Sequence, residues 1–168
     1  MSETPTTISH VIEYSRDLFK HGQVNWARPM VNALEQLKPM LALKWALNVF
    51  DVQLLGDLSN DTAEQYKLWI HELGHFVEYF PDAGKCNEMA YRIWDNDFVI
   101  NLSERAIARL YWALILYHEG NMQKEYCSQV NDAVVLFVDA IGRRATVCDF
   151  IISRFQELAS SATEQGCN

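Results

Sequence analysis

Two imidazoles four residues apart, with a carboxylate beside the first, are the side chains of this sequence best spaced to do chemistry: His71-Glu72-Leu73-Gly74-His75. On a helix, side chains at i and i+4 leave one face with their β-carbons about 5–6 Å apart, close enough to share a Zn²⁺. A zinc ion held this way keeps an open position for water and lowers the pKa of that water. An adjoining glutamate can then take the proton as general base. Glu72 occupies the general-base position, and the flanking Leu68, Trp69, Ile70, Phe76 and Val77 carry no charge.

Over about ten residues the segment resembles the active-site helix of the zincin metallopeptidases. The resemblance implies zinc as cofactor, His71 and His75 as ligands, Glu72 as general base and a third ligand from farther along the chain. Glu88, in Asn87-Glu88-Met89-Ala90, is the candidate third ligand, because gluzincins take theirs from a downstream helix. Its interval from His75 is shorter than that family's, and its helical phase sets it with Arg92 and Asp95, away from Ala90, Ile93, Trp94 and Asp97. Glu78 shares the face of His75 but lies about 10 Å along the axis from His71, too far for easy chelation.

The motif needs a helix to present it, and periodicity supplies one over residues 61 to 80. Tyr66, Trp69, Ile70, Leu73, Phe76, Val77 and Phe80 form an i, i+3, i+4, i+7 stripe that must face a core. Glu64, Lys67, His71, His75 and Glu78 fall on the opposite face. That face lines a metal cleft, binds a partner, or is a solvated surface laced with i,i+3 and i,i+4 charge pairs.

Other helices are expected over Ile8–Lys20 (stopped at Gly22), from Asn25 with Pro29 in its first turn, over Met40–Val52, over Asn87–Asp95, over Asn121–Ile141 and over Thr146–Leu158. Asp61 is the expected cap of the motif helix and Pro81-Asp82-Ala83-Gly84 the turn after it. Gly56–Asn60 is expected as a loop, and Phe98-Val99-Ile100 as an extended connection.

The run from Leu110 to Tyr117 is hydrophobic on every side, so a helix capped by Ser103 and reaching about residue 118 should be buried at the centre. Arg105 and Arg109 lie one turn apart at its start. They either mark a solvated first turn or, if buried, require carboxylates, for which Asp95 and Asp97 are nearest in sequence. The expected architecture is all-α: one domain over 1–168, a bundle of about seven or eight helices around residues 103–118, with short flexible ends near 1–7 and 160–168. Tryptophans recur about once per helix, but the residues around them do not repeat, so a solenoid is not expected.

Composition sets the remaining limits. With 168 residues, 49% hydrophobic and 21% charged, the chain can bury a core without staples. Its net charge of −8 repels phosphate backbones and anionic lipid, so neither nucleic acid nor membrane is an expected partner, whereas a basic protein surface is. Cys86, Cys127, Cys148 and Cys167 form no C-x-x-C pair, and no basic-then-apolar leader begins the chain, which points to the cytoplasm and free thiols. His10, His21 and His118 sit at or near helix ends, where capping or an interaction with the C-terminal helix dipole is the expected role.

Two functions follow. The first is a non-enzymatic interaction protein, an adaptor, chaperone-like factor or inhibitor of the immunity type, that needs no cofactor. It would offer an acidic helical surface, with Glu64 and Glu78 as binding residues, to a basic protein partner. The second is a zinc-dependent hydrolase built on His71, Glu72, His75 and Glu88.

Overall fold

Residues 7–51, 60–94, 102–120 and 123–166 are described by a computed structural model, with the backbone alone at 60–63 and 164–166. Eight helices and no strands occur among them: α1 Ile8–Lys20, α2 Arg28–Leu37, α3 Leu41–Val49, α4 Asn60–Glu78, α5 Ala83–Trp94, α6 Leu102–His118, α7 Gln123–Ile141 and α8 Ala145–Gly166. The all-α bundle expected from periodicity is what forms. Phe98-Val99-Ile100, Asp95, Asp97, Cys167, the loop before Asn60 and the side chain of Asp61 lie outside the described residues.

Local chemistry accounts for the helix ends. Thr7 caps α1 by accepting from the His10 backbone N–H, and Gly22, at φ 70°, closes it in the left-handed conformation. There the Gln23 N–H reaches back to the Leu18 carbonyl at 3.0 Å. His21 Nδ1 lies 2.8 Å from the Asp17 carbonyl oxygen, the end-of-helix role expected of it. Pro29 sits in the first turn of α2, which itself starts at Arg28 rather than near Asn25.

Three boundaries differ from the sequence reading in instructive ways. Helix α5 begins at Ala83, a full turn before Asn87, because the Asp82 carboxylate caps it by accepting from the Lys85 N–H at 2.7 Å. A β-carbon on Gly84 would stand 3.1 Å from that carboxylate oxygen, so the glycine belongs to the capped turn and does not interrupt it. Ser103 is buried within the first turn of α6 instead of capping it. Helix α8 runs on to Gly166, well past Leu158.

The centre is a pair of helices. Along α6, Ala106, Ile107, Leu110, Tyr111, Ala113 and Leu114 are fully buried, and α7 contributes Tyr126, Val130, Ala133, Val134, Phe137 and Val138. These two helices share the most extensive contact in the molecule. Helix α5 covers a second side of α6, α2 and α3 pack on α7 and on each other, and α8 packs on α1, α2 and α3. One side of α6, at Trp112, Ile115 and Leu116, is only half-buried.

The motif helix α4 lies against α6. Tyr66, Trp69, Ile70 and Leu73 are buried, and the Tyr111 hydroxyl donates to the Trp69 carbonyl at 2.6 Å. The predicted stripe is the packed face, which fixes the opposite face toward solvent.

Candidate functional site

His71 and His75 line an open groove of about 530 Å³ between α4 and α3. The α4 wall carries Ile70, His71, Gly74, His75, Glu78 and Tyr79. The α3 side contributes Lys44, Leu47, Asn48 and, just past its end, Asp51. Lys44, Asn48 and Asp51 recur at i, i+4 and i+7, a polar stripe that was legible in the sequence and was not singled out there. Leu47 and Ile70 are apolar residues of its lining.

Both imidazoles are exposed, and neither ring makes a hydrogen bond or ion pair with another described residue. The same holds for the charges that share their face. Glu64, Lys67 and Glu78 form no ion pairs with described residues, so the laced surface expected from i,i+3 and i,i+4 spacing does not form. Across the groove, Asp51 Oδ1 is buried without a hydrogen-bond partner among the described residues.

The remaining members of the proposed catalytic set are not gathered here. Glu72 does not line the groove. Its charge instead acts on Tyr111, whose hydroxyl is pushed well above the usual phenol range, first by burial and then by Glu72. Glu88 stands on the exposed face of α5 and pairs with Arg92 at 3.5 Å, as its phase implied. Among the described residues, no group of three His, Cys, Asp or Glu side chains comes together to hold a metal ion.

No protein family, curated protein or solved structure matches the chain.

Two further features were not anticipated. The Glu35 carboxylate accepts from the backbone N–H of Met40 at 3.1 Å, from that of Ala42 at 2.9 Å, and from the Tyr126 hydroxyl at 3.1 Å. It thereby caps α3, whose N-cap residue Met40 has a left-handed backbone at φ 66°. The second feature concerns the arginines of α6. Arg105 stacks over Trp94 with its guanidinium carbon 4.2 Å from the ring centroid. Arg109 reaches α7, donating to Gln129 Oε1 at 3.0 Å and standing 3.8 Å from Asp132. Both are half-buried, so neither simple expectation holds: Arg109 finds its carboxylate on α7, and Arg105 is covered by an aromatic ring.

The three described thiols, Cys86, Cys127 and Cys148, are buried and not poised for chemistry. Burial, with Asp82 adding to it, pushes Cys86 up to about 11, and burial likewise raises Cys127 and Cys148. Among the described residues, no helix is long and apolar enough to cross a membrane.

Proposed function

We propose that the protein is a non-enzymatic interaction protein that engages a basic protein surface through the exposed side of α4. The observation that carries this reading is the set of carboxylates Glu64, Glu72 and Glu78, all exposed and none held in an ion pair with a described residue. Beside them Leu68 and Tyr79 are 66% and 76% exposed. Apolar side chains beside three unpaired carboxylates, with Lys67 the cation among them, suit an interface with a basic surface, and the net −8 would steer a basic partner toward it. A cytoplasmic site of action belongs to the same proposal.

The test uses the full chain as bait, with a charge-reversed Glu64→Lys, Glu72→Lys, Glu78→Lys variant as control. The expected result is a basic protein, recovered in stoichiometric amount by the native chain and lost with the variant, whose capture weakens as salt is raised. Equal recovery by both baits would refute the reading.

A second reading, zinc-dependent hydrolysis, is favoured by one observation: His71 and His75 share a groove wall. It would require Glu72 to act on water from a position off that groove. Glu72→Gln is its direct test, since a hydrolase of this design loses its zinc-dependent peptidase activity with that substitution.

A further inference from the structure

We infer that the half-buried stripe of α6 is the floor of a docking groove for one amphipathic helix of another protein, acidic where it meets Arg105 and basic where it meets Glu119. The surface belongs to α5, α6 and α7 and not to α4, so the inference goes beyond the partner reading and does not rest on it.

Spacing supplies the first argument. Arg105, Arg109, Trp112, Leu116 and Glu119 follow one another along α6 at steps of four, three, four and three, and each is half-buried or exposed while the residues between them are mostly buried. Those are the steps of a coiled-coil seam, the pattern with which one helix receives another. The stripe runs for about 21 Å. Helices α5 and α7 flank it, and a groove of about 490 Å³ lies over Trp112, Ile115 and Leu116, with Asn87 on the α5 wall and Gln129 on the α7 wall. The Trp112 indole N–H donates to Asn87 Oδ1 at 3.0 Å, so the ring enters the groove as apolar surface with its one donor already satisfied. Tyr91, 53% exposed, meets that ring edge-on at 5.5 Å and extends the apolar patch.

Charge supplies the second argument, because the two ends of the stripe differ in sign. Arg105 lies over Trp94 and makes no ion pair with a described residue, and Arg109 follows one turn later. At the other end Glu119 is exposed, as is Glu125 one turn before Gln129 on α7, and neither is in an ion pair with a described residue. An apolar centre between ends of opposite charge supplies contact in the middle and selects the partner at the ends. A helix is itself stabilised by carboxylates in its first turn and cations in its last, so a partner helix running parallel to α6 brings both complements to their places. A second copy of the chain fits worse: it offers the same recess, groove against groove, and a second net charge of −8.

The experiment measures fluorescence anisotropy of three labelled synthetic peptides of about 18 residues, enough to span the stripe, against the full chain. All three carry the same leucine seam at steps of four and three. One has glutamates in its first turn and lysines in its last, one has lysines at both ends, and one has glutamates at both ends. The expected result is tightest binding of the first, with each of the others weaker by about tenfold. Arg105→Glu should transfer the preference to the peptide with lysines at both ends, and Glu119→Lys to the peptide with glutamates at both ends. Leu116→Arg should abolish binding while circular dichroism shows the helical content unchanged, whereas the Glu64→Lys, Glu72→Lys, Glu78→Lys variant should bind the first peptide as the native chain does. Absent binding, equal affinity for all three peptides, or binding that survives Leu116→Arg and is lost in the α4 variant overturns the inference. So does a native chain that light scattering shows to be a dimer and that Leu116→Arg makes monomeric, which would give the groove to a second copy.

Discussion

Glu35 shows how much one side chain can organise. Its carboxylate satisfies two backbone N–H groups at the start of α3 and the hydroxyl of Tyr126 on α7, joining three helices through one acceptor. Glu35→Ala should lower the free energy of unfolding in urea by about 2–4 kcal/mol, the sum expected for a lost cap and hydrogen bonds to a charged acceptor. Tyr126→Phe, which removes one of the three bonds, should cost about 1 kcal/mol. Cys86 makes a different kind of prediction. Its thiol is raised from an ordinary 9.0 to about 11, so between those values the unfolded chain releases a proton that the folded chain keeps. Stability therefore falls as pH rises from 9 toward 11. Urea midpoints measured across that range should decline less steeply in Cys86→Ala.

At the scale of the element, α4 and α6 illustrate two ways a helix finds its place. Helix α4 carries a single apolar stripe and buries it, so its phase, and with it the exposure of His71 and His75, follows from spacing alone. Helix α6 is apolar nearly all round, and the sequence does not say which neighbours cover which side. Helices α7 and α5 take most of it, leaving Trp112, Ile115 and Leu116 half-buried. Leu110→Ala or Leu114→Ala, each at a fully buried position of α6, should destabilise by about 2–5 kcal/mol in urea unfolding. Ile115→Ala, half-buried, should cost clearly less in the same measurement. A larger loss at residue 115 than at 110 would contradict the packing described for this helix.

Over the whole molecule, charge is the dominant long-range term. A chain of net charge −8 repels itself in the folded state, and salt screens that repulsion over about 10 Å at 0.1 M. The thermal midpoint should rise modestly as NaCl is raised from low to physiological concentration, a change readable by circular dichroism. Capture of a basic partner should weaken over the same range, because the identical screening acts on attraction between molecules. Opposite salt responses of stability and of binding are what the proposed interface predicts for a field that also strains the fold.

Helix positions, their apolar stripes and the face on which His71 and His75 lie were determined by the sequence itself. They depend on local hydrogen bonding and on a period of 3.6 residues, both written within a few turns of chain. The outward pairing of Glu88 with Arg92 was legible for the same reason. Where local signals conflicted, as at Gly84 within a turn capped by Asp82, the boundary was misread.

Only the tertiary structure decided what stands opposite the histidines. The α3 side of the groove, with Lys44, Asn48 and Asp51, is set by how two consecutive helices each pack on a common core, and no pattern within either helix encodes it. The same applies to Arg109, whose carboxylate lies on α7, and to Glu35, whose role exists because the chain turns left-handed at Met40. Side-chain chemistry is local, but the partners that give it a function are chosen by long-range burial of apolar surface.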